Sequence, residues 1–424
     1  MEQVVAYSTL GVTVSLAVLR PRFGWWTQLR FTPGTAALFG VTVLLLTGLL
    51  TPAQLLAAAR LQWRPLLALT CIMIMTGVVQ EVGAFDRLAS WIETRARTRS
   101  ATHTFSVIFL LSLVTPSLLN NDAAILILTP AVIALTRRLY PDNPRATLAF
   151  AFAVFLAPGV APFIVSNPMN MIVAEFAGLD FNSYSAVMLP LSLAGAALTY
   201  GLLRIIFRSV LRTTTPTSAP RTTVHRHAGE RPAVILMLAV FCAYPIAAAF
   251  GAQIWFVSVG GALGALIISR VYRVASAKKV AAHVSPDILI FLWGIFLVVQ
   301  GLRTVGVVEA LSGVYAAAPA GGGAHLALIG TTSAIGSALV DNHPMSILNM
   351  LAISGAHGTR PLLAALVGGD IGPRLLPIGS LAGLLWMDLL RRAGVTISIG
   401  KFVKVGTVVL LPTLAVSLLL LWLL

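Results

Sequence analysis

Two clusters of polar residues interrupt long apolar stretches of this chain, one cluster in each half. They consist of Asn120, Asn121 and Asp122 in the first half, and of Asp341, Asn342 and His343 in the second. A charged carboxylate in the apolar part of a bilayer costs about 2.5–3.5 kcal/mol and normally faces the protein interior or a wet cavity. Amides donate and accept hydrogen bonds, and carboxylates accept them. These residue types therefore predict a buried binding site for a small polar solute.

Two buried carboxylates, Asp122 and Asp370, are the predicted carriers of a coupled proton or ion. A carboxylate that leaves water for an apolar environment takes up a proton more readily. The alternative for Asp122 is that it caps backbone donors at its turn, and the alternative for Asp370 is a local ion pair with Arg374. His343 is expected to cap or modulate Asp341, because a metal site needs more histidines or cysteines nearby. No metal and no cofactor is therefore predicted.

Two further segments combine helix-breaking residues with polar ones inside apolar stretches. Residues 156–170 contain three prolines and a glycine, and residues 368–380 contain prolines and glycines at similar density. Proline removes a backbone donor, and such interruptions predict unwound helix ends whose backbone groups face a ligand. A simple kink in each helix is the alternative. If the helices do unwind, the predicted binding residues of these segments are Ser166, Asn167, Gly379 and Ser380.

The composition is that of a polytopic membrane protein. Hydrophobic residues make up 58% of the 424 residues and charged residues only 10%, whereas soluble domains carry about 25% charged residues. The net charge of +15 does not predict a nucleic-acid partner, because the basic residues fall in short connections between apolar segments. In that position they set the orientation in the bilayer and contact lipid headgroups.

Apolar segments of sufficient length predict ten membrane crossings and two re-entrant hairpins. The hairpins are 104–136 and 323–357, with the polar clusters at their tips. The predicted crossings are 4–19, 34–50, 65–82, the broken helix 147–178, 185–207, 233–249, 253–269, 287–302, the broken helix 361–391, and 405–424.

The basic residues test this layout, since basic connections stay on the cytoplasmic side. If the hairpins do not cross, clusters such as Arg20, Arg22 and Arg30 all fall on one side. We therefore expect a multi-pass protein of the cell inner membrane with both termini outside. The linker 208–232, rich in Thr, Pro and Arg, is then cytoplasmic and solvated.

The two halves, 1–207 and 233–424, repeat one order of elements. Each has two crossings, an amphipathic segment, a hairpin, a broken helix and a final crossing. Val82-Gly83 before the first amphipathic segment corresponds to Val305-Gly306 before the second. The expected fold is all-α, and the basic residues place the bases of the two hairpins on opposite sides. The repeats are therefore predicted to be inverted, as in many secondary transporters.

Three segments of this chain resemble motifs of ArsB-type arsenite efflux pumps, which belong to the ion-transporter superfamily. They are 121–130, 165–173 and 370–382, and their order and spacing agree with the family over nearly the whole chain. The family usually has two asparagines and Met-Pro in the second hairpin, where this chain has Asp341-Asn342-His343-Pro344.

The resemblance implies export of trivalent arsenic and antimony driven by the proton gradient, sometimes with a cytosolic ATPase partner. It also implies a scaffold domain and a transport domain that moves as an elevator. Arsenite at neutral pH is mostly an uncharged trihydroxide. Because Cys71 and Cys242 cannot supply three thiolates, the solute is expected to be bound through its oxygens.

Other functions remain open at this stage. A sodium/proton antiporter, or another small-solute carrier of the same superfamily, would use the same tips and unwound segments. An anion carrier would favour basic or amide-rich tips, unlike Asp122 and Asp341. A channel would pass solute without a response to the pH gradient. A membrane-embedded enzyme would need a convergent catalytic set, and because none is evident in the sequence, the protein is not predicted to be an enzyme.

Overall fold

A computed structural model of the protein describes residues 2–19, 31–141, 143–217, 227–353 and 358–424. Regular structure within these ranges is helical throughout, which confirms the predicted all-α class. The predicted basic cluster of Arg20, Arg22 and Arg30 lies outside the described residues. So do residues 218–226 of the predicted linker and residues 354–357 of the second predicted hairpin.

Twenty α-helices are found in the described ranges. The first ten are α1 (Glu2–Leu19), α2 (Pro33–Leu46), α3 (Pro52–Glu81), α4 (Ala84–Ala96), α5 (Ala101–Leu118), α6 (Asn121–Leu139), α7 (Pro144–Leu156), α8 (Pro168–Ala177), α9 (Phe181–Ile206) and α10 (Arg208–Thr213). The second ten are α11 (Glu230–Ala249), α12 (Ile254–Val271), α13 (Ala277–Ala282), α14 (Pro286–Arg303), α15 (Val307–Tyr315), α16 (Gly323–Val340), α17 (Asn342–Ile353), α18 (Arg360–Ile371), α19 (Leu381–Arg392) and α20 (Ile399–Leu423).

Eight helical segments in the described part of the chain are long and apolar enough to cross a bilayer. They are α3, α5, α9, α11, α12, the segment Ala277–Arg303 that contains α13 and α14, α16 and α20. The ten predicted crossings each correspond to a helix or to a broken pair of helices. The polytopic character predicted from the composition is therefore present in the structure.

Helix α3 begins earlier than the predicted crossing at residue 65. Thr51 and Gln54 form a reciprocal capping box, and Pro52 occupies the first turn. This combination starts a helix strongly, since it satisfies backbone donors that have no helical partner. The segment 51–64 was expected to be a connection, and that expectation is wrong. The short helix α10 occupies the start of the predicted linker 208–232.

The two hairpins and the two broken helices are present as pairs of helices. Helices α5 and α6 meet at Leu119 and Asn120, and α16 and α17 meet at Asp341. Helices α7 and α8 are separated by an unwound stretch with one 3₁₀ turn, and α18 and α19 by a stretch with two. Each polar cluster therefore lies at a turn, and each group of prolines and glycines lies at a break.

The packing of the helices is compatible with two related halves. Helix α2 packs along α14, and α12 packs along α3, so each half contributes one member to each pair. Helices α9 and α20, the last of each half, pack against each other. The amphipathic helices α4 and α15 both follow a left-handed glycine, Gly83 with φ 74° and Gly306 with φ 86°.

A close backbone contact joins α20 to the second break. A Cβ atom added to Gly406 would overlap the carbonyl oxygen of Arg374, whereas one added to Gly400, near the start of the same helix, would meet nothing within 4 Å. Backbone groups cannot yield as a flexible side chain can. Glycine is therefore required at residue 406 for packing, and not at residue 400.

We expect Gly406→Ala to destabilise the detergent-solubilised protein by about 1–3 kcal/mol through overpacking. Gly400→Ala is the control and should change stability by less than about 0.5 kcal/mol. Thermal unfolding followed by circular dichroism measures both. Equal unfolding midpoints for the two variants would show that α20 does not approach the break this closely.

Candidate functional site

A cavity of about 50 Å³ lies where the two hairpin tips and the two helix breaks meet. On this measure one water molecule needs about 10–15 Å³, so the cavity has room for a few waters or for a small solute. Its polar lining consists of Asn121, Asp122, Asn167, Asn342, His343, Asp370 and Ser380. The sequence-predicted residues of all four segments thus contribute to one cavity.

The remaining walls of the cavity are apolar or helix-breaking. They comprise Ile125, Phe155, Pro158, Gly159, Pro168, Pro373 and Ala382. Small-molecule sites are typically concave, with a largely apolar lining and a few polar groups that fix orientation. The cavity has this character.

At the first tip, the residue that caps the helix and the carboxylate that lines the cavity are different residues. Asn120 is buried, and its side-chain oxygen accepts a hydrogen bond from the backbone N–H of Ala123 at 2.9 Å. Asn120 is therefore the N-cap of α6, the role considered above as the alternative for Asp122. Asp122 lies in the first turn of α6 and lines the cavity.

The second tip is built around a carboxylate–imidazole pair. Asp341 has φ 78° and ψ 147°, a conformation that residues other than glycine rarely adopt and that is concentrated at functional sites. Its carboxylate accepts the backbone N–H of His343 at 2.9 Å and lies 2.6 Å from Nδ1 of the same residue. The expected contact between His343 and Asp341 is present, and Asp341 is the residue that caps α17.

Asp370 at the end of α18 binds the unwound segment of the other half. Its carboxylate accepts the backbone N–H of Ala161 at 2.9 Å, the amide of Asn167 at 2.9 Å and the amide of Asn170 at 3.2 Å. Asn170 also donates to the hydroxyl of Tyr184 at 2.6 Å, and that hydroxyl donates to the carbonyl of Ala161. The second half therefore supplies the anion that satisfies donors in the first.

The Arg374 guanidinium is buried and binds oxygens of three other elements. It donates to the carbonyl of Leu156 at 2.7 Å, to that of Pro158 at 3.1 Å and to the hydroxyls of Thr199 and Thr413. Between the side chains of Asp370 and Arg374, both within the described ranges, there is no ion pair within 4.0 Å. The local pair considered above is therefore not formed. Arg374 lies instead at the carbonyl end of α7, where a cation is favoured.

Four of the predicted residues do not line the cavity. Asn120 and Asp341 are caps, as described above. The Ser166 hydroxyl donates to the carbonyl of Ser117 at 3.4 Å. Gly379 packs against the end of α16, since a Cβ there would lie 2.9 Å from the carbonyl oxygen of Ser337. These residues shape the walls and turns around the site.

The sequence-based predictions did not assign site roles to Asn170 and Arg374. Asn170 is three residues after Asn167, and this spacing puts both amides on one face of α8. Arg374 is a lone arginine within an apolar stretch, and such a residue usually has a buried partner. Both signals were present in the sequence, but the partners of each residue lie in distant segments.

Asn342 is a polar residue of the cavity with a side-chain oxygen available to a ligand. The residue is buried, and its side-chain oxygen has no hydrogen-bond partner among the described residues. A buried polar atom without a partner costs roughly 1–3 kcal/mol. The helices α6, α8, α17 and α19 also begin at the site. The cavity can therefore bind a neutral solute with several hydroxyl groups.

The chain is similar over nearly its whole length to known membrane proteins. An arsenical pump membrane protein of Escherichia coli (strain K12) is 30% identical over 426 residues, which cover 96% of this chain and 95% of the relative. One from Yersinia enterocolitica is 30% identical over 437 residues, which cover 98% and 97%. Among solved structures, the Alcanivorax borkumensis YdaH transporter matches with a TM-score of 0.58 and 15% identity, covering 99% of this chain and 96% of that one. This structural similarity supports the fold alone.

The family model described as "Arsenical pump membrane protein" matches residues 12–424. That match includes both tips, both breaks and the cavity between them. Together with the full-length relatives, it shows that the chain belongs to the ArsB family of arsenical pump membrane proteins.

Proposed function

We propose that the protein exports arsenite and antimonite from the cytoplasm in exchange for protons. The observation that carries the proposal is the single cavity that both tips and both breaks line, with a carboxylate from each half of the chain. The names of the full-length relatives support an arsenical as the solute.

An uncharged trihydroxide is suited to this lining. Its hydroxyl groups can donate to the oxygen of Asn342 and to the carboxylate of Asp122, and its oxygens can accept from amides. No sulfur ligand is involved, because Cys71 is buried in α3, Cys242 is exposed in α11, and neither lines the cavity. Recognition through oxygen also fits antimonite, which has the same hydroxyl pattern.

Asp122 and Asp370 are the proposed proton carriers. Asp370 accepts three hydrogen bonds from the first-half break. A proton on this carboxylate weakens its acceptance of those donors, and the break is then held less firmly. Proton binding and the conformation of the cavity wall are thereby linked. Protons that bind from outside and leave to the cytoplasm can drive the solute in the opposite direction.

We infer an elevator movement in which the hairpins and broken helices move against a scaffold of α1–α3 and α11–α14. One contact between these units is the ion pair of Arg64 in α3 and Glu175 in α8, with 2.9 Å between nitrogen and oxygen. Sliding of the two units would require this contact to break.

The proposed placement is the cell inner membrane, with both termini outside and the linker 208–232 cytoplasmic. The basic residues of the cytoplasmic connections would then offer a surface for anionic lipid headgroups. A cytosolic ATPase subunit, as the family resemblance implies, would dock on the same side. No nucleic acid takes part.

We expect Asp122→Asn and Asp370→Asn to abolish arsenite uptake driven by a pH gradient in everted vesicles. Each proton that is no longer coupled lowers the accumulation ratio by about tenfold per pH unit of gradient. Asp388→Asn is the control, because Asp388 is half-buried, lies outside the cavity and pairs with Arg391 and Arg392. Normal uptake by Asp122→Asn at every gradient would refute its role. Sodium uptake in place of arsenite uptake would favour a sodium/proton antiporter.

Replacement of both cysteines tests recognition through oxygen. We expect Cys71→Ala with Cys242→Ser to keep at least half of the arsenite uptake in everted vesicles, since neither thiol reaches the cavity. Western blotting controls for membrane insertion. Loss of uptake at normal protein levels would require a thiol in the transport pathway.

Crosslinking tests the elevator movement in the cysteine-free protein. Arg64→Cys with Glu175→Cys places one thiol on the scaffold and one on the moving unit, and a short thiol crosslinker should abolish transport. Glu81→Cys with His283→Cys is the control, because this pair is equally close, at 2.9 Å, but lies within the scaffold. If both crosslinked proteins transport equally well, α8 does not move against α3.

A further inference from the structure

The imidazole of His343, at the second tip, has one ring nitrogen bonded to a carboxylate and a second nitrogen that is not. The His343 Nδ1 atom lies 2.6 Å from the Asp341 carboxylate, and the residue is only 4% exposed. A carboxylate at this distance keeps the proton on Nδ1, so Nε2 is the nitrogen that gains or loses a proton. The Nε2 atom has no hydrogen-bond partner among the described residues, and the side chain lines the cavity.

The ring is held from two sides. Asp341 also accepts the backbone N–H of His343 at 2.9 Å, so the carboxylate and imidazole move as one unit with the tip. On another side, the ring of Phe291 in α14 meets the imidazole edge-on, with 5.4 Å between the ring centroids. The imidazole therefore touches both the cavity and the proposed scaffold.

The charged groups around His343 are carboxylates. Asp341 is its direct partner, and Asp122 from α6 and Asp370 from α18 line the same cavity. The titratable hydroxyl of Tyr315 in α15 donates its hydrogen bond to Asn349 and not to His343. The buried cation nearby, Arg374, is engaged by carbonyls and hydroxyls and does not line the cavity. Among the residues that line the cavity, His343 is therefore the one that can become a cation.

Because of this arrangement, we propose that the His343–Asp341 pair binds and releases a proton in each transport cycle, in addition to the carboxylates assigned above. The inference rests on the proposed exchange of arsenite for protons and names a further proton site. The proton binds to Nε2 when the solute has left the cavity, because the Asp341 carboxylate beside the ring then stabilises the imidazolium. It leaves from Nε2 when the cavity opens to the cytoplasm and solute enters.

The role of Asp341 in this pair is to position the imidazole and stabilise its charged form. A charge-assisted hydrogen bond is roughly twice as strong as a neutral one. Asp341 therefore favours proton uptake at His343 without contacting the solute. Because Phe291 of α14 contacts the same ring, protonation also changes the charge that the tip presents to α14.

The number of protons exchanged per arsenite tests the proposal. In proteoliposomes, the arsenite gradient that just balances an imposed pH gradient gives this number directly. We expect His343→Gln to exchange one proton fewer, which lowers the balancing arsenite ratio about tenfold per pH unit. Asp341→Asn should keep the proton count and shift half-maximal transport to lower pH, since the imidazolium loses its partner.

His283→Gln is the matched control. His283 lies 2.9 Å from a carboxylate of Glu81, much as His343 lies beside Asp341, but it is outside the cavity. Its replacement should leave the proton count unchanged. An unchanged count in His343→Gln would overturn the proposal and leave arsenite–proton exchange intact. If the unaltered protein shows no proton exchange, the proposed function itself fails.

A transport-deficient His343→Gln variant is still informative. Arsenite binding to the purified protein, measured by calorimetry in two buffers of different ionisation enthalpy, counts the protons released on binding. We expect one fewer proton from His343→Gln than from the unaltered protein. An equal number from both would contradict proton release from this imidazole.

Discussion

Backbone groups left unpaired by two broken helices are the constraint on which the site depends. In an apolar environment each unsatisfied group costs several kcal/mol, so irregular backbone persists only where other groups satisfy it. Two side chains of opposite charge from the second half bind groups around the break of the first half. Asp370 accepts the backbone N–H of Ala161 within the break and the side-chain amides of Asn167 and Asn170 at the start of α8. Arg374 donates to the carbonyls of Leu156 and Pro158 at the end of α7, where a cation is favoured.

This arrangement links the two halves through their least regular segments. Asp370 and Arg374 follow each other within one break, yet their partners lie on opposite sides of the other break. Arg374 also reaches Thr199 in α9 and Thr413 in α20, the helices that close each half. A change in the charge of Asp370 would therefore change its hydrogen bonds to the first half, at Ala161, Asn167 and Asn170. A carboxylate in this position is suited to coupling because its bonds cross between the two halves of the chain.

Much of this site was predictable from local sequence, and the reason is that turns and breaks have local causes. Prolines and glycines predicted both breaks, and the polar residues predicted both tips. Long-range partners were not predictable in the same way. The expected alternative for Asp370 was its neighbour Arg374, one turn away, whereas both side chains bind residues about 200 positions distant in the chain. The capping box of Thr51 and Gln54 is a local signal for the early start of α3. The prediction used the hydrophobic pattern alone and therefore placed the start of the helix too late.

The two tips differ in a way that bears on how the cavity balances its charge. At the first tip, an amide caps the helix, and the carboxylate of Asp122 is left to face the cavity. At the second tip the carboxylate caps the helix, and the imidazole of His343 faces the cavity instead. Capping the helix and lining the cavity are therefore done by different residue types at the two tips. As a result, a carboxyl group and an imidazole line the same cavity. A neutral solute between them adds no charge of its own, so the charge of the cavity is set by protons alone. A solute with a fixed charge would instead have to be balanced each time it entered, which makes an uncharged hydroxide the better match to this pair of tips.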